Sequence, residues 1–214
     1  MSKPASNILA SASPRRKNLL SQIGIEFSII PSNINEDFKL TLPPEAFTEH
    51  WAREKALNVS KNHPGSLIIG ADTVVVLDGQ ILGKPKDEND SKEMLLKLSG
   101  KTHEVMTGVS LIHIDSKIDI TFNERTFVSI NTLTIDDILK YISIYKPYDK
   151  AGSYGIQDGF SVHVDKIKGC YYNVMGLPVS KFYSYYSNIL AYINHMIKLV
   201  AMEYKMVSQC MLIK

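Results

Sequence analysis

The chain has 214 residues, of which 44% are hydrophobic and 21% are charged, and its formal net charge is +2. A soluble chain of this length and composition buries enough surface to fold without disulfides or a structural metal. The nearly balanced charge argues against a nucleic-acid-binding surface spread over the whole molecule, although a local basic pocket remains open.

The sequence shows neither the pattern of a signal peptide nor a paired cysteine motif. Residues 1–10 have no apolar core of signal-peptide length, and the apolar segment 188–207 is interrupted by polar and charged residues. The two cysteines, Cys170 and Cys210, form neither a CxxC pair nor a disulfide framework. We therefore expect a cytoplasmic protein with reduced thiols and no membrane span.

The first elements predicted are a strand, a helix and a second strand. Residues 7–11, with Ile8, Leu9 and Ala10 at their centre, indicate a short buried strand. Ser13 then supplies an N-cap oxygen and Pro14 suits the first helical position, while Gly24 can end the helix in the left-handed conformation. Residues 26–32 predict the second strand, which leads into an acidic turn.

A longer helix is predicted from Pro44 to residue 62. Phe47, Trp51 and Lys55 recur at four-residue spacing and therefore share one side of this helix. The stem of Lys55 can lie along apolar surface with its charge in solvent, which is the common use of such a lysine, or its ammonium group can face a ligand.

The rest of the chain alternates strands with helices. A two-residue turn at Asp78-Gly79 divides the clearest β segment, and Thr134 with Asp137 has the spacing of a capping box. The predicted elements are a β segment 66–85, a helix 87–100, strands 104–114 and 118–133, a helix 135–146, a glycine-rich loop 149–159, a strand 160–167, a short segment 170–178 and a long helical tail. This alternation predicts an α/β sheet protein, and it leaves the strand directions open.

Two arginines occupy an unusual place in the first turn of the Ser13 helix. Arg15 and Arg16 lie at the positive end of the helix dipole, where a cation is unfavourable by about 0.3–1 kcal/mol. Free N–H groups at a helix start bind anions, and guanidinium groups add bidentate donors for phosphate oxygens. The turn, including Ser11, is thus either a phosphate site or a solvated basic helix start.

Three further charged residues follow predicted strands. Asp72 comes after an apolar run, and an acid at the end of a buried strand is costly unless it is paired, metal-bound or functional. Lys84 stands between Gly83 and Pro85, and Glu36 lies in the turn after the second strand. The alternatives are a turn cap for Asp72, a solvent-facing lysine, and an exposed acidic turn; with phosphate nearby, Glu36 could instead help hold Mg²⁺.

The glycine-rich loop offers groups for a nucleobase. Tyr154 could stack on a ring, and the amide of Gln157 could hydrogen-bond a base edge, although such loops also simply turn the chain. The sequence contains no GxxxxGK[ST], GxGxxG or GxSxG motif, and its six histidines have no metal-ligand spacing. What remains is a set of cations and carboxylates suited to phosphate chemistry with a divalent ion.

Seven segments, in this order, resemble one known family: "SASPRR", "WAREKA", "GADTVV", "LGKP", "LSGKTHEVMTGVSL", "DKAGSYGIQ" and "VMGLP". Together they cover about residues 6–190 and are similar to the Maf family of nucleoside triphosphate pyrophosphatases, relatives of the inosine triphosphatase (Ham1) group. The resemblance implies one domain over residues 1–214, with two α/β lobes around an elongated mixed sheet and the active cleft between the lobes. Residues 191–214 would form a helical extension.

The resemblance also implies the reaction and the roles of the site residues. A nucleoside triphosphate would be hydrolysed between its α and β phosphorus atoms, giving the monophosphate and pyrophosphate. Asp72 would be the general base, Lys55 and Lys84 would be catalytic residues that hold the triphosphate, and Glu36 and Asp72 would hold Mg²⁺ or Mn²⁺. The substrate would be bound by Ser11, Ser13, Arg15, Arg16, Thr73, Tyr154 and Gln157.

Within the family, this chain resembles the branch that prefers dTTP and UTP, including modified pyrimidine nucleotides. Arg15, Thr73 and Gln157 would then be the selectivity residues. Members often carry two acids where this chain has Asn35-Glu36, so one metal-side carboxylate is either missing or replaced by Asp37, which leaves the number of metal ions open. The resemblance implies a homodimer, and we expect neither a membrane nor a nucleic-acid partner. The alternatives are a non-catalytic nucleotide- or nucleic-acid-binding regulator of cell division and a phosphohydrolase for other phosphate anhydrides.

Overall fold

The computed structural model describes residues 6–37 and 40–211 as strands and helices in alternation. The strands are β1 (Ser6–Leu9), β2 (Ser28–Ile29), β3 (Ser66–Leu77), β4 (Gln80–Leu82), β5 (Thr102–His113), β6 (Ile118–Ile130) and β7 (Val164–Lys168). The helices are α1 (Pro14–Gln22), α2 (Pro44–Ser60), α3 (Glu88–Leu98), α4 (Ile135–Tyr145), α5 (Tyr171–Val174) and α6 (Val179–Met211). Two 3-10 turns, Ala151–Ser153 and Gly159–His163, precede β7.

All of these strands belong to one mixed seven-stranded sheet in the order β2-β1-β3-β5-β6-β7, with β4 also paired to β3. β1 runs parallel to β2 and β3, whereas β3, β5, β6 and β7 pair antiparallel. The α/β class predicted from the alternation is therefore confirmed, and the sheet is mixed.

One edge of β3 is interrupted in a way that positions the site. β5 pairs with residues 68–76 of β3 on one side. On the other side β1 pairs with residues 66–69 and β4 with residues 75–77. Within the described chain, no strand pairs with residues 70–74 on that side, so the backbone there faces an opening between β1 and β4. We call this stretch the β3 gap.

Helix α2 packs directly against the sheet because two glycines allow it. A Cβ atom at Gly70 would overlap the carbonyl oxygen of Ala52, and one at Gly108 would overlap that of Thr48. Phe47 and Trp51 share one side of α2, as predicted, and both are buried in a cluster with residues 74, 76 and 106 of the sheet. The opposite face of the sheet forms the main core with α1, α3, α4 and α6.

The helix starts agree with the sequence signals. The Ser13 side chain accepts a hydrogen bond from the Arg16 N–H, and Gly24 has a φ of 72°. Thr134 and Asp137 form the predicted capping box of α4. Asp78 and Gly79 both have positive φ, as the tight hairpin between β3 and β4 requires.

Three expectations about strands were wrong. The strand expected at 26–32 is only Ser28–Ile29, because its neighbour β1 is itself short. The one expected at 160–167 begins as a 3-10 turn, because the Asp158 side chain accepts from the Phe160 N–H and β7 starts only at Val164. Asp72 does not end its strand: β3 continues to Leu77, and it is the neighbouring strand β1 that stops.

The C-terminal tail is helical as expected, since α6 extends to Met211, and residues 212–214 lie outside the described chain. No helix in the ranges 6–37 and 40–211 has the length and apolar character needed to cross a bilayer. The single domain over 1–214, the division into two lobes and the homodimer stay predictions.

Candidate active site

A cleft of about 800 Å³ opens at the β3 gap. The residues that the resemblance assigns to the site all line it: Ser11, Ser13, Arg15, Arg16, Glu36, Lys55, Asp72, Thr73, Lys84, Tyr154 and Gln157. Asp37, the possible replacement for the missing acid, is not among the lining residues. These residues come from α1 and the turn before it, from the segment after β2, from α2, β3 and the turn after β4, and from the 149–158 loop. The fold therefore brings together residues that are far apart in the chain.

The β3 gap lets the cleft reach both faces of the sheet. Asp72 and Thr73 are neighbours on an extended strand, so their side chains leave on opposite faces. Asp72 faces α2, where it meets Lys55, and Thr73 faces α1, where it meets Arg16.

Arg16 is buried and held by three hydrogen bonds. Its Nε donates to the carbonyl oxygen of Gly176 at 2.8 Å, and its two terminal nitrogens donate to Ser11 Oγ at 3.1 Å and Thr73 Oγ1 at 2.9 Å. A guanidinium has five N–H groups, so one on each terminal nitrogen is left for a ligand. Burial lowers the pKa of Arg16, and the nearby charge of Asp72 opposes this shift.

Arg15 lies nearer to solvent and joins α1 to the 149–158 loop. Its guanidinium is 3.1 Å from Asp149 Oδ2, and the other oxygen of Asp149 is 2.7 Å from Lys150 Nζ. Burial raises the pKa of Asp149, but the hydrogen bonds and charges of Lys150 and Arg15 outweigh it, so that pKa lies below its usual range. The carboxylate thus neutralises two cations of the cleft wall.

Lys55 bridges the two carboxylates of the site. Its Nζ lies 2.7 Å from Asp72 Oδ1 and 2.5 Å from Glu36 Oε1. Asp72 is only 5% exposed, and its Oδ2 atom is buried with no hydrogen-bond partner among the described residues. A buried carboxylate oxygen without a partner is unfavourable unless a ligand, a water or an ion satisfies it.

This arrangement fits a divalent cation held mainly by its substrate. In the described part of the chain, no three His, Cys, Asp or Glu side chains form a metal cluster. Mg²⁺ characteristically uses one or two protein carboxylates together with substrate phosphates and water. The unpartnered Oδ2 of Asp72 and the partly exposed carboxylate of Glu36 meet that requirement.

The glycine-rich loop contributes two side chains of different character. Tyr154 is 5% exposed and its hydroxyl lies 2.7 Å from His103 Nε2, so most of its ring packs in the core. Burial raises the pKa of Tyr154 and lowers that of His103 to about 4. Gln157 and Lys84 are both exposed and line the cleft.

Comparison with known proteins adds to this geometry. The sequence pattern of the family described as Maf-like protein matches residues 6–189. The chain belongs to this family. A dTTP/UTP pyrophosphatase of Ruminiclostridium cellulolyticum is 47% identical over 175 residues, which cover 81% of this chain and 91% of that protein. A Bacillus cereus protein of the same name is 48% identical over 174 residues, covering 81% and 90%.

Among solved structures, a HAM1 protein from Coxiella burnetii aligns with this chain at a TM-score of 0.43 and 14% sequence identity. The alignment covers 59% of this chain and 73% of that one.

Sequence reasoning missed several residues of this Maf cleft. Asp149, Lys150 and Tyr145 all line it, and Tyr145 is 40% exposed where Tyr154 is buried. Asp149 and Lys150 could have been singled out from the sequence, because an acidic and a basic residue stand side by side at the start of the glycine-rich loop. Thr107 and Asn173 lie behind the wall of the cleft, and no local sequence pattern marks them. A threonine in an apolar strand is typical of strands in general.

Proposed function

We propose that this Maf-family chain is a nucleoside triphosphate pyrophosphatase that hydrolyses dTTP and UTP to the monophosphate and pyrophosphate. The relatives named dTTP/UTP pyrophosphatase support the substrates. The observation that carries the chemistry is the buried Asp72 carboxylate, with one oxygen held by Lys55 and the other unpartnered, in a cleft lined by arginines and lysines.

The cationic side chains would bind the triphosphate. Arg16 offers its two remaining guanidinium N–H groups. The first turn of α1 adds the backbone N–H of Arg15 at the positive end of the helix, since Pro14 has no N–H and that of Arg16 is bound by Ser13. Arg15, Lys55 and Lys84 line the same cleft and add positive charge. These groups stabilise negative charge as it grows on the leaving pyrophosphate.

Asp72 would act as the general base through Oδ2. Lys55 holds Oδ1 and so fixes the carboxylate plane, which leaves Oδ2 with two lone pairs, one to accept the proton and one to help hold a divalent cation. A water attacking the α-phosphorus gives its proton to Oδ2 as the new P–O bond forms and the bond to the bridging oxygen of pyrophosphate breaks. Asp72 and Glu36 would hold Mg²⁺ or Mn²⁺, which when bound neutralises charge on the phosphate oxygens.

Base recognition would fall to the loop side of the cleft. The Gln157 amide carries one acceptor and two donors and can pair with the O4 and N3–H edge that uracil and thymine share. The exposed ring of Tyr145 and the wall near Tyr154 provide apolar surface beside it. Arg15 and Thr73 remain selectivity residues in this proposal.

Pyrophosphate release from a panel of nucleoside triphosphates with Mg²⁺ and with Mn²⁺ tests the proposal. We expect dTTP and UTP to be the best substrates and the nucleotide product to be the monophosphate. Release of single orthophosphate would contradict the cleavage position. Tight binding of the nucleotides with no hydrolysis would instead favour the non-catalytic regulator.

The proposal extends to a cytoplasmic homodimer, which follows from the resemblance to the family. Light scattering of the purified chain and fractionation of cells that produce it test these two points. A monomer over the working concentration range would remove the dimer from the proposal.

A further inference from the structure

Three hydroxyl and carbonyl groups form a chain behind Arg16. Arg16 donates to Thr73 Oγ1 at 2.9 Å, Thr73 Oγ1 lies 3.0 Å from Thr107 Oγ1, and Thr107 Oγ1 lies 3.2 Å from the carbonyl oxygen of Asn173. Thr107 and Asn173 are fully buried, and neither lines the cleft. We call this series the Thr73–Thr107 relay.

The hydrogens of the relay have only one consistent arrangement. The Asn173 carbonyl oxygen can only accept a hydrogen bond, so the Thr107 hydroxyl donates its single hydrogen to it. Thr107 can then only accept from Thr73, so the Thr73 hydroxyl points its hydrogen away from the cleft wall. The lone pairs of Thr73 consequently face the Arg16 guanidinium, which is a pure donor.

The far end of the relay is fixed by the Asn173 side chain. Its Nδ2 donates to the Val105 carbonyl oxygen and to Thr126 Oγ1, both at 3.0 Å, and so ties α5 to β5 and β6. The same turn presents the Gly176 carbonyl oxygen that accepts from Arg16 Nε. The contacts of Arg16 with the Gly176 carbonyl oxygen and with Thr73 therefore both depend on the buried Asn173 side chain.

We infer that Thr107 is a positioning residue: by orienting the Thr73 hydroxyl it holds Arg16 with two N–H groups free for a polyphosphate ligand. Removing the Thr107 hydroxyl leaves Thr73 without its acceptor. Its hydrogen can then turn toward the guanidinium, where it opposes the N–H donor. Arg16 would lose one of its three fixing contacts and bind phosphate less well.

The test uses the full chain and two substitutions at one position. Thr107→Val keeps the shape and removes the hydroxyl, whereas Thr107→Ser keeps the hydroxyl. We expect Thr107→Val to weaken binding of inorganic tripolyphosphate with Mg²⁺, measured by calorimetry, by about tenfold. The KM values for dTTP and UTP should rise by the same factor as each other, and Thr107→Ser should stay within about threefold of the parent.

Two controls separate positioning from loss of stability. Ser110→Ala removes another fully buried hydroxyl of β5, which accepts from Thr121, away from the cleft. It should lower the melting temperature about as much as Thr107→Val and leave tripolyphosphate binding unchanged. In an Arg16→Ala background, Thr107→Val should cause no further loss of binding, because the group that it positions is gone.

The inference is wrong if Thr107→Val binds tripolyphosphate like the parent, or if Ser110→Ala weakens binding equally. It rests on the proposed function only for the KM values. A parent that binds tripolyphosphate but hydrolyses no nucleotide would contradict the proposed function and leave the binding comparison to decide on Thr107.

Discussion

Gly108 of β5 lies directly beneath the backbone of Thr48 in α2, with no room for a Cβ atom between them. Gly70 of β3 meets Ala52 in the same way one turn further along the helix. Lys55 follows on the same side of α2 and reaches Asp72 at 2.7 Å. The closeness of helix and sheet therefore sets the distance between an ammonium group and the carboxylate proposed as the base.

Gly108→Ala should separate α2 from the sheet and weaken that contact. We expect the free energy of unfolding to fall by about 1–3 kcal/mol, because the new methyl group meets backbone that cannot turn away. Turnover of dTTP should fall as well, since Lys55 no longer fixes Asp72. Gly65→Ala, whose new methyl group would meet only the Asp115 side chain at 3.3 Å, is the control and should change neither quantity much.

Asp72→Asn should remove the proposed general base while keeping the shape of the site. The amide oxygen can still accept from Lys55, so we expect KM for dTTP to change little while kcat falls by about 10²–10⁴-fold. Steady-state kinetics measure both values. Asp119→Asn, at a surface pair with Arg53, is the control. Turnover of Asp72→Asn at the parent rate would assign the base to another residue.

Substitutions of Arg16 and of Gln157 should impair recognition of different parts of the substrate. Arg16→Ala should raise KM for every triphosphate by a similar factor, because phosphate groups carry no information about the base. Lys17→Ala, on an exposed neighbour in α1, is its control.

Gln157→Ala should instead reduce the difference in kcat/KM between pyrimidine and purine substrates, because the proposed amide contact is with the base edge. The same nucleotide panel reports both effects. If Arg16→Ala changed the ranking of bases and Gln157→Ala did not, the two assignments would have to be exchanged.

His103 should make the fold sensitive to mild acid. Burial holds its pKa at about 4 in the folded chain, whereas an unfolded chain protonates histidine near pH 6.5. The unfolded state therefore binds more protons between those values, and stability is present above pH 6.5 and is lost as the pH falls toward 4. At pH 5 the loss relative to pH 7.5 is about 2 kcal/mol for a shift of this size.

Urea unfolding at pH 7.5 and pH 5 measures this loss. His103→Gln should lose less stability than the parent over that interval, and His50→Asn, on an exposed histidine, should behave like the parent. Equal losses in the parent and in His103→Gln would place the acid sensitivity elsewhere.

The sequence was most informative where a local interaction decides the structure. Ser13 and Thr134 were recognisable as helix caps because each acts within four residues of itself. Asp72 was recognised as an unusual acid, but its place in mid-strand was not, because β3 continues past it through pairing with β5, and pairing between distant strands leaves no local pattern.

The buried residues that support the site from behind were the hardest to predict from the sequence. Thr107 and Asn173 act only through tertiary contacts with Thr73, Val105 and Thr126, and their identities resemble ordinary strand and turn residues. The relation between Arg15 and Asp149, which are 134 positions apart, likewise depends on the folded chain.

The break in pairing along β3 has one more consequence. A molecule that touches both Asp72 and the Arg16–Thr73 pair has to pass through the plane of the sheet instead of resting on one of its sides. The angle between Asp72 and the Arg16–Thr73 pair is then fixed by the pleat of a single strand. Under the proposed function, substitution of Gln157 would therefore alter which nucleotide is accepted while the relation of Asp72 to Arg16 stays the same.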